Sequence, residues 1–328
     1  MDEIKELKNK YSLQNILLEK FDKTNFGGHS LTGIPTGFSM LDRLLNGLQH
    51  GDLIIISGLS SMGKTSFSLN ICANVASKTN TCVSYFSLAT DKNKVINRLL
   101  ASESNLDLNK IQSNRFDSDE WRKLTHAIGT LQQSNLFIFD NINTCVSDIE
   151  QKVNELKDKT PNMQQLIVID YLSLLDTDDL QNRYEQTSFI VKQLKKLSRK
   201  LDCPIVLVAN LSRNYTRRLE KSFQNQKTPR LSDLRDSGTI EEDSDVVIFL
   251  SKNTDIKQDA ENFSKLIDIV VAKNTDIKQV AENSSELIDV VVAKNRNGHI
   301  GTIQLMYLKE YSKFLNLDPN DLNSLLSN

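Results

Sequence analysis

The chain has 328 residues, 39% of them apolar, enough to bury the core of one large α/β domain or two small ones. Lysine and arginine number 40 against 42 acidic residues, so the net charge of −2 excludes a global attraction to nucleic acid, and any such contact has to be local. Four widely spaced cysteines (Cys72, Cys82, Cys145, Cys203) argue against a disulfide frame or zinc site, no apolar run nears the ~20 residues of a membrane span, and the charged start Met1-Asp2-Glu3 carries no secretory signal, so a cytoplasmic protein without membrane contact is expected.

Residues 1–25 read as an amphipathic helix, with Ile4, Leu7, Tyr11, Leu13, Ile16, Leu17 and Phe21 on its apolar side, followed by the loop Phe26–Ser30. It either packs on its own domain or docks on a neighbouring subunit. This divides the chain into a linker-like segment over 1–29, a main domain over 30–316 and a tail over 317–328. From residue 33, apolar runs at 53–57, 82–88, 136–139, 166–169 and 205–209 alternate with helical patterns at 64–77, 91–104, 117–133, 147–159 and 185–201. Such alternation predicts an α/β fold: a mainly parallel twisted sheet with helices on both faces. After residue 240 strand-like runs follow one another, at 245–250, 267–272, 288–293 and 301–307, which predicts an antiparallel extension at one edge.

The strand-like run Asp52–Ser57 leads into Gly58-Leu59-Ser60-Ser61-Met62-Gly63-Lys64-Thr65, followed by Ser66 and a helical pattern. This is G-x-x-x-x-G-K-[ST] in the strand–loop–helix context that gives the pattern its meaning. Glycines let backbone N–H groups close around a phosphate chain, helped by the helix N-terminus. Lys64 is placed to reach β- and γ-phosphates and Thr65 to hold Mg²⁺. A second carboxylate is then needed, and the apolar run 166–169 ends in Asp170, at the strand edge where parallel sheets bind ligands. Further on, residues 213–230 carry Arg213, Arg217, Arg218, Lys221, Lys227 and Arg230 against Glu220 alone, ahead of Leu231–Gly238, a polar, glycine-ended stretch. Arginines and backbone amides on such a loop suit phosphate contacts; the plainer alternative is a solvated surface loop.

Residues 253–273 (NTDIKQDAENFSKLIDIVVAK) and 274–294 (NTDIKQVAENSSELIDVVVAK) are identical at 17 of 21 positions. Two copies are too few for a solenoid, so a local duplication is indicated. Each copy offers one polar turn and one strand, and both compete for one place in the sheet. The second runs on into the hairpin-like Asn295-Arg296-Asn297-Gly298-His299 and is expected to take that place, leaving the first as an insertion or added edge strand.

GIPTGFSMLDRLLNGL (33–48), the phosphate loop, YFSLA (85–89), LIVIDYLSLL (166–175), IVLVANLSR (205–213), LSDLRDSGTIEEDSDVVIFL (231–250) and VVVAKNRNGHIGTIQL (290–305) occur in one collinear order. This order resembles the C-terminal motor domain of DnaB-type replicative DNA helicases, with its RecA-like core, over about residues 30–315. The family's separate N-terminal domain has no counterpart in the sequence. The resemblance implies ATP and Mg²⁺ as ligands, single-stranded DNA as partner, and a hexameric ring, either of this chain alone or mixed with a full-length helicase. It carries Lys64, Thr65 and Asp170 over as phosphate and metal groups, and Asn210 as the γ-phosphate sensor, where the family has Gln. Lys294 and Arg296 match the basic pair that reaches a neighbour's γ-phosphate. Arg235, Asp236 and Gly238, with Arg213 nearby, match the surface that tracks the DNA strand.

One departure bears on catalysis: the family reads FSLE where this chain has Phe86-Ser87-Leu88-Ala89, losing the glutamate that polarises the attacking water. Asp91 could substitute only with a rebuilt strand end, and the repeat inserts 21 residues just before the Lys294–Arg296 hairpin. The reading is therefore a helicase motor that binds ATP and DNA with impaired hydrolysis. The alternatives are a nucleotide-binding accessory of another helicase ring, or a decayed duplicate.

Overall fold

In the strand Leu53–Gly58 (β1) every residue is buried, because its two faces feed two different cores. Ile54 and Ile56 point into one and Leu53 and Ile55 into the other, the period-two alternation of a strand covered on both sides. The structure, a computed structural model, describes residues 31–141, 144–176, 182–212, 215–218, 228–234, 237–253, 260–273 and 285–317. The expected helix over 1–29 and the tail beyond residue 317 lie outside them. The chain divides into Met1–Thr32 and Gly33–Asn328, and the sheet and its helices belong to the second unit.

After the short helix α1 (Ser39–Leu45) and β1 come α2 (Lys64–Lys78), β2 (Thr81–Ser87), α3 (Lys92–Ser104), α4 (Leu108–Ser113), α5 (Ser118–Gln133) and β3 (Leu136–Phe139). The chain continues through α6 (Val146–Lys159), β4 (Gln164–Asp170), α7 (Arg183–Leu201), β5 (Ile205–Asn210), α8 (Ser237–Asp243) and β6 (Val246–Lys252). It ends in α9 (Ala260–Lys273), β7 (Ser285–Asn295), β8 (Gly301–Leu308) and β9 (Lys313–Asn316). Among the described residues these strands form one nine-stranded sheet in the order β3-β2-β4-β5-β1-β6-β7-β8-β9. Pairing is parallel from β3 to β6 and antiparallel from β6 to β9. The α/β sheet with its antiparallel edge is as expected from the sequence.

One face is closed by α1, α2 and α3 through Phe38, Leu41, Phe67, Ile71, Val75, Val95 and Leu99. The other is closed by α6 and α7 through Ile149, Val153, Ile190, Val191, Leu194 and Leu197. Helix starts follow side-chain capping rules: Asp91 accepts from the Asn93 and Lys94 amides at α3, and Asp117 and Glu120 form a reciprocal capping box at α5.

The repeat departs from expectation. Its second copy supplies β7, as its run into the hairpin implies, and the first is an insertion, but residues 267–272, read as strand-like, belong to the helix α9. Phe263, Leu266 and Ile267 of this helix pack with Leu287, Met306, Leu308 and Leu315. On β7 the neighbouring Ile288 and Val290 belong to the first core, so α9 covers the opposite face of the edge strands. The physical reason is competition: β6 has one free edge, and once the second copy pairs with it the first buries its apolar side as a helix.

Candidate functional site

The phosphate loop leaves β1 at Gly58 and enters α2 at Lys64. Gly63 has a φ of 78°, and a Cβ there would lie 2.9 Å from the Tyr307 ring and 3.0 Å from Phe314, so only glycine fits the turn. Those two rings stack with centroids 4.3 Å apart and floor the loop from β8 and β9. Lys64 Nζ donates to the carbonyls of Gly58 and Leu59, each at 2.9 Å, which holds the ammonium over the loop. Burial lowers its pKa, and the charge of Asp170 opposes that shift.

β4 brings Asp170 to the same edge, 3% exposed. Thr65 Oγ1 donates to its Oδ2 at 2.6 Å and the Tyr85 hydroxyl donates to the same oxygen at 3.1 Å. Burial and the neighbouring Asp170 charge push the Tyr85 hydroxyl well above its ordinary pKa, so it stays a proton donor. Hydroxyl and carboxylate form an all-oxygen donor pair, the chemistry Mg²⁺ takes while keeping several waters. Asn210, the last residue of β5, sits opposite Gly58 in the β1–β5 register. The Ser66 hydroxyl is taken up by Ser312 Oγ at 2.7 Å and the Tyr307 hydroxyl at 3.1 Å.

Ser61, Gly63, Lys64, Thr65 and Ser66 line a cleft of about 410 Å³ with Arg98, Tyr307 and Lys309. Sequence reasoning missed Arg98 and Lys309: they come from α3 and the end of β8, and no local pattern ties either to the loop.

The family defined as "DnaB-like helicase C terminal domain" matches residues 33–316. The chain belongs to this DnaB-like family. It is 37% identical over 313 residues to "Replicative DNA helicase DnaB" of Geobacillus stearothermophilus, covering 94% of this chain and 62% of the relative. It is 36% identical over 325 residues to "Replicative DNA helicase DnaC" of Bacillus subtilis (strain 168), covering 96% and 65%. The chain thus spans less than two thirds of either relative. Among solved structures, one described as an ATPase domain superposes with a TM-score of 0.78 at 32% identity, covering 94% of this chain and 99% of that one. A DnaB-like replicative helicase, described with its interactions with primase, gives 0.77 at 31% identity, covering 97% and 70%.

Within this DnaB-like fold, Lys294 and Arg296 are far from the chain's own phosphate loop. β7 runs antiparallel to β6 with Lys294 opposite Val247, at the start of the parallel strands, whereas the loop follows their ends. Arg296 is level with Leu53 through Asp245, five residues or about 17 Å from Gly58 at the strand rise of ~3.3 Å per residue, and Lys294 is level with Ile55, three residues or about 10 Å away. Lys294 Nζ donates to the carbonyls of Glu241 and Ser244, the latter at 2.6 Å. Arg296 donates to the Glu242 carbonyl at 2.9 Å and pairs with Asp245 at 3.1 Å. Asp245 is 2% exposed and also accepts from Lys195 and the Leu53 amide.

Of the DNA-facing residues named from sequence, Arg213, Arg235 and Asp236 lie outside the described residues. Their flanks are described. Leu211 bridges Leu234, and the Ser212 amide donates to the Asp233 carbonyl at 2.7 Å, so both loops spring from one joint at the end of β5. Arg218, counted among the loop cations, pairs with Asp233 at 2.5 Å and lies over the Tyr215 ring. Gly238 is exposed near the start of α8, where an added Cβ would come 3.2 Å from the Tyr184 hydroxyl.

Beside Asp245, burial first and the Asp245 charge second raise Asp52 to about 6, while Lys195 and Arg296 pull the other way. A folded value above the ~3.9 of an unfolded chain means the fold holds this proton more tightly. That stabilisation is complete below about pH 4 and is lost as pH rises through 6. Asp52→Asn cannot ionise, so its stability exceeds that of the native chain increasingly from pH 4 to 7, by up to about 3 kcal/mol, in urea titrations at each pH.

Proposed function

We propose that this chain is the motor portion of a DnaB-type replicative helicase that binds ATP with Mg²⁺ and single-stranded DNA, with hydrolysis impaired at position 89. The observation that carries the reading is the bond from Thr65 to Asp170 beneath the phosphate loop, which joins the first turn of α2 to the end of β4 as the two halves of an NTP site. Backbone amides of the loop bind phosphate oxygens, and Lys64 adds a point charge. Thr65 and Asp170 would hold Mg²⁺, which would supply neutralisation of the phosphate charge. Asn210, beside Gly58, is the γ-phosphate sensor, one methylene shorter than the family's glutamine.

The finger pair works between subunits. Its place at the far end of the strands supports a ring in which Lys294 and Arg296 of one protomer complete the site of the next. Single-stranded DNA is bound from the joined loops at the end of β5, by Arg213, Arg235, Asp236 and Gly238, through its backbone. Ala89 also favours the second reading, an accessory that binds nucleotide within another helicase ring without turning it over.

The test is ATP binding by calorimetry with Mg²⁺. The native chain binds, and Lys64→Ala weakens binding at least tenfold, the ~1.5–3 kcal/mol of a charged hydrogen bond. Equal affinity in both would sink the assignment of the loop.

A further inference from the structure

Residues 264–273 (SKLIDIVVAK) and 285–294 (SELIDVVVAK) differ at two positions, yet the first lies in helix α9 and the second in strand β7. Ile267, Ile269, Val270 and Val271 are β-branched, a composition that favours strand over helix. Helix α9 therefore stands against its local preference and is held by its packing on Leu287, Met306, Leu308 and Leu315.

The apolar pattern does not choose between the copies. β7 buries Leu287, Ile288, Val290 and Val292, and the first copy offers Leu266, Ile267, Ile269 and Val271 in the same order. Charge does choose. Glu286 is 4% exposed and pairs with Lys252 and with Lys309, the latter at 2.9 Å. The first copy carries Lys265 at the equivalent position, which would set a third ammonium beside those two. The other selector is Phe263, 4% exposed in the α9 contact, where the second copy has Ser284.

We infer that the two copies are alternative occupants of one strand position, and that Lys265 against Glu286, with Phe263 against Ser284, assign it to the second. When the first copy is seated beside β6, residues 253–263 alone connect the two strands, and the second copy joins the loop before β8. The strand then ends in Lys273-Asn274-Thr275 where it now ends in Lys294-Asn295-Arg296. Arg296 leaves Asp245, and the hairpin beside β6 carries threonine in its place. The exchange is thus a built-in control over the finger; that consequence rests on the proposed function, whereas the exchange does not.

Cysteine pairs read the two arrangements directly. Ser251 faces Asp289 across β6 and β7, and Asp268 is the equivalent of Asp289 in the first copy. Facing strand positions lie within disulfide reach. In a Cys145→Ser background, which leaves the three buried cysteines, Ser251→Cys is paired with Asp289→Cys or with Asp268→Cys, and crosslinks are mapped by mass spectrometry after mild oxidation. With the native repeat the 251–289 pair closes and the 251–268 pair forms in trace. Adding Phe263→Ser with Lys265→Glu raises the 251–268 crosslink at least tenfold and lowers the 251–289 crosslink. A 251–268 yield unchanged from the native repeat, with 251–289 retained, overturns the inference. If circular dichroism shows the double variant unfolded, Lys265→Glu alone keeps Phe263 and has to redistribute the crosslinks in the same direction. No step reads ATP turnover, so a failure of the helicase reading leaves this result standing.

Discussion

Replacing Ala89 by glutamate raises ATP turnover by ~10²–10⁴, the usual contribution of a positioned general base. The backbone is already in place for it. The Leu88 and Ala89 amides donate to the Asp170 carbonyl at 2.7 and 3.3 Å, so residue 89 is fastened to the end of the strand that carries Asp170. Ala89 itself is exposed, so a longer side chain there does not enter the core. Neighbouring carboxylates do not fill the role. Asp91 caps α3: hydrogen bonds led by the Lys94 amide hold its carboxyl below the ordinary range, which makes it a poorer proton acceptor. Asp140 accepts the Lys92 amide at 3.1 Å. Steady-state ATPase assays with single-stranded DNA decide the matter, and equal rates in native chain and variant would show that the missing glutamate is not what limits hydrolysis.

In the Ala89→Glu background, Arg296→Ala lowers turnover by ~10³–10⁵, the range an arginine finger contributes in other NTPases, while ATP affinity stays within about twofold. The reason is position: Arg296, next to Asn295 opposite Val246, stands at the opposite end of the strands from its own loop, as the proposed role on a neighbouring subunit requires. Mixing Arg296→Ala subunits with Lys64→Ala subunits therefore restores activity, because some interfaces join an intact loop to an intact finger. A finger acting within its own chain gives no recovery on mixing. The same mixture separates a self-assembled ring from an accessory that needs another helicase to complete its site.

Much of this site was legible in the sequence because its parts are contiguous or mark a strand end. The phosphate loop needs eight consecutive residues, and Asp170 stands out as a carboxylate closing an apolar run. The sheet was legible for the same reason: strands covered on both faces must be apolar throughout, and their spacing by helices fixes parallel pairing. What failed was the strand-like reading of residues 267–272 in the first repeat copy, not its place as an insertion. Its local composition is that of a strand, and only the prior claim of the second copy on β6, set by Glu286 among Lys252 and Lys309, makes it a helix. Arg98 and Lys309 were invisible because separate elements bring them to the cleft. The short α1, α4, α8 and β9 were missed because four to seven residues carry little periodicity and, unlike the four-residue β3, none is an unbroken apolar run. The place of Lys294 and Arg296 away from their own loop was not legible, since the β6–β7 register that sets it is long-range, and their role on a neighbour is implied by the resemblance alone.

The central claim is that the native chain binds ATP and, lacking a glutamate at position 89, hydrolyses it far more slowly than the Ala89→Glu variant. The direct measurement is the fate of nucleotide bound to the purified native chain with Mg²⁺ and single-stranded DNA, re-isolated over hours and analysed by chromatography. Bound nucleotide recovered as ATP, with ADP accumulating in the Ala89→Glu variant under the same conditions, is the predicted result. Conversion to ADP in the native chain as fast as in the variant would contradict it.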